Sequence, residues 1–404
     1  MKEPMTAVTG ITYDRESIER WLLNSTDTTC PVTKQPLPKD SDLTPNHTLR
    51  RLIQAWCRAN AEKGVDQIPT PKSPLNKSHV FKLLRDLHVP HMYINALKKM
   101  EGLACENEKN RSCMVEAGAI KAMVSFIIRC FKEGRTTGLE EALRIIHLIW
   151  TPTAENIQLV KENFEFMESI IWVLQCNNMD NHAVVKSHAV LVLKVIIEVA
   201  GSNLLGQLKF EFFKQAVKIL RWRISQQATK AVLHVLIKVC PWGRNRSKII
   251  EAGAVFDLIE LELNNAEKKT SELIFCLLGH LCSYADGREQ LLKHAGAIAM
   301  VSKRILRVSP ATDDRAVHIL WLISKLSATQ QILLEMLRVG AVSKLCMVLQ
   351  ADSEKHLKNK AREILRLHNN VWNNSPCIAV YLMTRDPRVI KFIIMVSPPC
   401  TCLE

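Results

Sequence analysis

The thirteen cysteines are the side chains in this 404-residue sequence best able to ligate a metal or form crosslinks, so their spacing is the first test of chemistry. No C-x-x-C pair occurs, and Cys30 has no second cysteine at zinc-ligand spacing. Most of the others sit in apolar helical runs such as Leu103-Ala104-Cys105 and Phe275-Cys276-Leu277, which predicts buried thiols in a reducing compartment. Cys400 and Cys402 form a lone C-x-C, too little for a metal site. No metal and no cofactor are expected. Around Cys30 nothing pairs a nucleophile with a base either. What the sequence offers there is a loop, Cys30 to Leu37, pinned by Pro31 and Pro36 and carrying Val32 and Lys34. Such a loop can present side chains to a partner but makes and breaks no bond itself.

Short elements must hold that loop. Met5 to Val8 and Ile11 to Tyr13 flank Thr9-Gly10, a two-residue turn signal, which predicts a hairpin. Asp14 is placed to cap a helix from Arg15 to Leu23, in which Ile18, Trp21 and Leu22 fall on one apolar face. Asn46 is placed to cap a second helix, Thr48 to Ala61, with Leu49, Leu52, Ile53 and Trp56 predicted to face inward.

Thr9-Gly10, Thr12-Tyr13-Asp14-Arg15, Trp21, Cys30-Pro31-Val32-Thr33 and Pro45-Asn46-His47-Thr48-Leu49 follow one another at spacings that resemble a U-box, the zinc-free relative of the RING domain. The resemblance implies a segment that recruits a ubiquitin-conjugating enzyme and acts by position. The enzyme carries ubiquitin as a thioester, and docking biases it toward a reactive pose. By the same resemblance Trp21, Pro31, Val32, Lys34 and Pro36 line the docking surface, and Lys34 stands where many such ligases place a basic residue that bonds both enzyme and ubiquitin. Polar side chains take over the role of zinc in this family, and Asp14 and Asn46 are the candidates. The residues taken alone leave other roles open: core packing for Trp21, turn-setting for the prolines, a solvated charge for Lys34, and plain helix caps for Asp14 and Asn46. Residues 1–63 are expected to form a partial U-box, because the chain opens on Met1-Lys2-Glu3-Pro4, beyond the family's first loop, which makes half of the docking surface. A non-catalytic binding scaffold is therefore the alternative function.

Residues 64–78, GVDQIPTPKSPLNKS, carry three prolines and predict a linker. Beyond it one motif returns: Glu116-Ala117-Gly118-Ala119, Glu251-Ala252-Gly253-Ala254, His294-Ala295-Gly296-Ala297 and Val339-Gly340-Ala341. The glycines stand 135, 43 and 44 residues apart, the first gap hiding two degenerate repeats, with Asn163 where a left-handed residue is wanted. Met100, Leu236, Leu278 and Leu322 keep the same phase, 17 or 18 residues before their glycines. Each unit reads as a short helix ended by a glycine with positive φ, a second helix such as Ala297 to Leu306, and a longer third such as Ala316 to Leu326. Asp286 with Glu289, and Asp313, mark helix starts. The period resembles the armadillo repeat, giving a mainly α solenoid of about seven repeats over residues 79–388 behind the small α+β domain, with a tail at 389–404 expected to be disordered. Stacked third helices would line a groove for an extended or helical protein partner.

Charge bears on that partner. Residues 1–63 hold nine Lys/Arg and eight Asp/Glu, so +13 of the +14 net charge lies on the remainder. The excess favours acidic partners or is simply a solvated surface. No aromatic-interleaved basic motif accompanies it, so no nucleic acid is expected. Nuclear import of basic cargo fits poorly, since Trp150 is followed by Ala154 at i+4 and Trp321 by Lys325, where a Trp/Asn ladder is required. No apolar stretch reaches the roughly 18 residues of a membrane span. The reading is an E3 ubiquitin-protein ligase of the plant U-box and armadillo type, cytoplasmic, with the nucleus as a second compartment.

Overall fold

The computed structural model describes residues 1–24, 29–38, 40–60, 75–161, 163–177, 181–264 and 266–372. The expected linker up to residue 74, the repeat sequence after 372 and the tail 389–404 lie outside the described residues. The chain divides into two compact units, Met1–Pro74 and Leu75–Glu404.

In the first unit, β1 (Pro4–Thr6) pairs antiparallel with β2 (Thr12–Asp14), Met5 opposite Tyr13. The connection is wider than a two-residue turn: Ala7 N–H donates to Ile11 O and Gly10 N–H to Ala7 O, both at 2.9 Å, and Gly10 takes φ +79°. After α1 (Arg15–Asn24) and the Cys30 loop, β3 (Thr44–Pro45) adds to the other edge of β1, so the strand order is β2-β1-β3. The unit ends in α2 (His47–Ala59). Ala7, Ile18, Cys30 and Leu37 form its buried centre, with Ile11, Tyr13, Trp21, Leu22 and Leu43 packed around them. One expectation fails here. Leu52 and Trp56 are 62% and 60% exposed, and the inward face of α2 is instead Leu49, Ile53 and the buried Cys57. Both stripes have i, i+3/i+4 spacing, and only the position of the strands chooses between them.

The second unit is helical. It opens with α3 (Lys77–Asp86) and α4 (Tyr93–Glu106), followed by α5 (Glu108–Glu116), α6 (Ala119–Glu133) and α7 (Leu139–Ile149). Then come α8 (Ala154–Lys161), α9 (Phe164–Gln175) and α10 (His182–Val199), and α11 (Ser202–Gly206), α12 (Phe210–Trp222) and α13 (Gln226–Val239). The later triplets are α14 (Asn245–Glu251), α15 (Ala254–Leu263) and α16 (Lys268–Cys282), then α17 (Ala285–Lys293), α18 (Ala297–Arg304) and α19 (Pro310–Leu326). The described chain finishes with α20 (Gln330–Arg338), α21 (Ala341–Gln350), α22 (Lys355–Leu367) and α23 (Asn369–Trp372). The helix α3 begins inside the last residues of the expected linker, capped by Asn76, whose side chain accepts from His79 N–H at 2.8 Å. Long helices α4, α7, α10, α13, α16, α19 and α22 pack each against the next, as stacking of repeats requires.

Local chemistry explains most boundaries. Gly118, Gly253 and Gly340 take φ of +80°, +85° and +77° between the first and second helices of their units, where a β-carbon would clash with its own backbone. Gly296 does not: its φ is −90°. There His294 leaves the helix in an extended conformation, its Nδ1 accepts the Gly296 N–H at 3.1 Å, and its Nε2 meets Glu260 at 2.9 Å. A side chain closes that turn, so the left-handed residue is not needed. Asn163 is likewise not left-handed (φ −85°) but an N-cap, accepting from Phe166 N–H at 2.9 Å. Asp286 lies inside the first turn of α17 rather than capping it, and α19 starts six residues before Ala316, at Pro310, capped by Ser309. Asp313 is buried and accepts the Leu306 N–H at 2.7 Å. Of the cysteines expected to be buried, Cys105 is exposed and Cys276 intermediate, while Cys30, Cys57, Cys130, Cys240, Cys282 and Cys346 are buried.

Candidate functional site

The Cys30 loop is closed at its base by a bridge between Thr29 and Pro36 and by Cys30 N–H donating to Gln35 O at 2.8 Å. Lys34 N–H reaches back to Cys30 O at 3.0 Å, which sets Lys34 at φ +57°, an unusual conformation for a side chain with a β-carbon. Beneath the loop the Cys30 thiol is fully buried, with Tyr13 Oη at 2.8 Å, Thr33 N–H at 3.4 Å and Thr9 Oγ1 at 3.5 Å. Burial pushes this thiol up, but the hydrogen bonds from Thr33, Thr9 and Tyr13 outweigh it and bring its pKa to about 6. Three elements thus meet on one sulfur: the hairpin loop, β2 and the loop itself.

Pro31, Val32, Lys34 and Pro36 share this loop; Val32, Lys34 and Pro36 are exposed and Pro31 is half-buried. Trp21 is half-buried against the small core, and its Nε1–H donates to Thr29 O at 3.1 Å, tying α1 to the loop entry. The tryptophan therefore packs and positions at once. The sequence does not reveal that Tyr13, Thr9 and Thr33 gather on the Cys30 sulfur. The signal was a cysteine without a metal-spaced partner in a segment whose loops still need a tie.

Asp14 does not cap α1. Its Oδ1 accepts backbone N–H groups of Lys2 and Glu3 at 2.6 and 2.9 Å, and these hydrogen bonds, the Glu3 one foremost, hold its carboxyl below the usual range. Asn46 does both jobs. Its Oδ1 accepts Leu49 N–H at 2.9 Å as the cap of α2, while its Nδ2 donates to Thr6 Oγ1 and Thr12 Oγ1, each at 3.3 Å, on adjacent strands.

In the helical unit the uncovered face of the long helices carries a feature that composition hides. His147, His188, His234, His280 and His318 stand one on each of α7, α10, α13, α16 and α19, none fully buried. Partial burial, followed by nearby Lys or Arg, lowers the pKa of each and favours the neutral ring near pH 7. Several cations on this face are already paired: Arg144 with Glu101 at 2.6 Å, Lys194 with Glu198 at 3.4 Å, Lys325 with Glu363 at 3.4 Å and Lys360 with Asp314 at 3.0 Å. The surface is therefore more polar and less basic than net charge suggests. No helix among the described residues is long and apolar enough to cross a membrane.

Comparison with known proteins fits both units. Residues 1–62 match the U-box domain and residues 79–388 match the plant U-box protein ARM repeat region. The Arabidopsis thaliana E3 ubiquitin-protein ligase PUB23 is 42% identical over 393 residues, covering 96% of this chain and 94% of that protein. PUB22 of the same plant is 38% identical over 94% of this chain and 93% of its own length. Among solved structures, the crystal structure of an engineered protein matches with a TM-score of 0.53 at 16% identity, covering 79% of this chain and 77% of that one, which is a likeness of fold alone. The chain is a member of the plant U-box family whose proteins join a U-box to an armadillo-repeat region.

Proposed function

We infer that the protein is a U-box E3 ubiquitin-protein ligase, acting with a ubiquitin-conjugating enzyme on a protein substrate. The observation that carries this is the near full-length likeness to ligases of the same two-part build, at 38 to 42% identity. Loop geometry supports it: Val32, Lys34 and Pro36 are presented to solvent by a loop fixed from beneath by Cys30, Tyr13 and Thr33. In this reading Trp21, Pro31, Val32, Lys34 and Pro36 receive the conjugating enzyme. No residue attacks ubiquitin; the substrate lysine attacks the thioester on the enzyme, and the U-box supplies orientation.

The uncovered face of α4 to α22 receives the substrate, through neutral histidines and the cations left unpaired. The protein works in the cytoplasm. Autoubiquitination with purified activating enzyme, a panel of conjugating enzymes and this chain tests the activity, and a chain that forms no ubiquitin conjugate with any member would overturn it.

A further inference from the structure

A second charged feature lies outside the long third helices of the helical unit. An open cavity of about 470 Å³ sits between α18 and the start of α21, lined among others by Lys303, Arg307, Arg338, Gly340 and Lys344. No residue of a long third helix lines it, and no Asp or Glu lines it.

Arg338 is neutralised by Glu335 at 2.6 and 2.7 Å. Lys303, Arg307 and Lys344 make no ion pair among the described residues. Asp313 is the buried carboxylate that Lys344 favours in its ionised form, yet it is occupied by the Leu306 N–H at 2.7 Å and forms no ion pair with the lysine. That same hydrogen bond holds Leu306 in the left-handed conformation, φ +58°, and the next residue, Arg307, lines the cavity. Elsewhere on the solenoid, cations on neighbouring helices are commonly matched by carboxylates, as with Lys132 and Glu165 or Lys230 and Glu267, both at 2.6 Å. Three cations that line one cavity without an ion-pair partner repel one another, and a polyanion relieves this.

We propose that this cavity binds a ligand carrying two or more phosphoryl groups. A single phosphate dianion leaves part of three positive charges uncompensated, whereas a polyphosphorylated headgroup matches them and receives charge-assisted hydrogen bonds from Lys303, Arg307 and Lys344. The start of α21 lies on the same side, where Ser343, a lining residue, carries a first-turn amide without a helix-internal acceptor. The site is independent of the ligase reading, since it shares no residue with the Cys30 loop or the third-helix face.

The test titrates the full chain with inositol hexakisphosphate, inorganic phosphate and sulfate at constant physiological ionic strength by calorimetry. A parallel arm uses neutral vesicles with and without a bisphosphorylated phosphoinositide. Saturable binding of the hexakisphosphate, at least tenfold tighter than inorganic phosphate, is expected. Lys303→Ala with Lys344→Ala should weaken it at least tenfold, and Arg307→Ala alone should weaken it severalfold. Lys98→Ala with Lys99→Ala, exposed cations of α4, removes the same charge and should change it less than twofold. Binding to phosphoinositide vesicles alone, lost in the same variants, would assign the phosphoryl groups to a lipid rather than a soluble ligand. Equal losses in the α4 control, or no preference for the hexakisphosphate over sulfate together with no preference for phosphoinositide vesicles over neutral ones, would overturn the proposal. The three side chains are solvent-accessible, and unchanged circular dichroism of the variants checks that folding is not what is lost.

Discussion

Tyr13 Oη lies 2.8 Å from Cys30 Sγ, joining the second strand to the floor of the loop that carries Lys34. Because hydrogen bonds bring the folded thiol to about 6 from an ordinary value near 9, its contribution to stability is full above pH 9 and is lost as pH falls through 6. Hydrogen exchange of residues 29–37 in the full chain, corrected for intrinsic rate, should show protection rising from pH 6 to 9. A Cys30→Ser chain, whose hydroxyl stays neutral, should lack that rise. An unchanged profile in the variant would remove the thiolate from the loop's support.

Lys34 is exposed and held by backbone geometry, so Lys34→Ala should leave melting unchanged while slowing ubiquitin discharge from the conjugating enzyme about tenfold, as expected for loss of a charge-assisted contact. Single-turnover discharge to free lysine measures this. Undiminished discharge would exclude Lys34 from the docking surface.

Asn46 caps α2 and bridges Thr6 and Thr12, so Asn46→Ala should destabilise the first unit by about 1–3 kcal/mol. Asn46→Asp keeps the cap acceptor and loses the bridging donor, and should fall between wild type and alanine in thermal melts. Equal loss in both variants would mean that the cap contributes nothing measurable.

Gly253 and Gly296 occupy equivalent motifs but different backbone conformations, φ +85° and −90°. Nothing lies within 4 Å of a β-carbon built on Gly253, so its cost is conformational: Gly253→Val should lose roughly 1–3 kcal/mol. Gly296→Ala should cost only a few tenths of that, and His294→Ala should cost more than Gly296→Ala. Chemical denaturation of the three variants separates these outcomes.

A fragment from Leu75 to Arg388, which keeps the Asn76 cap of α3, should retain the substrate and fail in ubiquitin transfer, whereas residues 1–63 should bind no substrate. Raised salt should weaken capture only modestly, because Arg144, Lys194, Lys325 and Lys360 are already paired. Pull-down with each half at two salt concentrations measures both. Substrate held by residues 1–63 and lost from the fragment would reverse the division of labour.

The sequence by itself determined the helical repeat, because the glycine period and the apolar stripes are local signals that recur along one dimension, and each unit needs only its neighbour to bury its face. It determined the loop residues around Lys34 for a similar reason: prolines and a turn are written in consecutive positions. What it left undecided were choices between locally equivalent options. Leu52 and Trp56 have the same spacing as Leu49 and Ile53, and only strand placement sends the first pair to solvent. Asp14 satisfies the rule for a helix cap, yet its carboxylate accepts the Lys2 and Glu3 amides, more than ten residues away in the chain, instead. Gly296 matches the repeat motif, but His294 closes its turn with a partner 34 residues away at Glu260. The pairing of Arg144, Lys325 and Lys360 with Glu101, Glu363 and Asp314 likewise joins helices about forty residues apart, and one cavity is lined by Lys344 together with Lys303 and Arg307. Only the packed solenoid brings such side chains together, since electrostatic interactions act across space and leave no period in the chain.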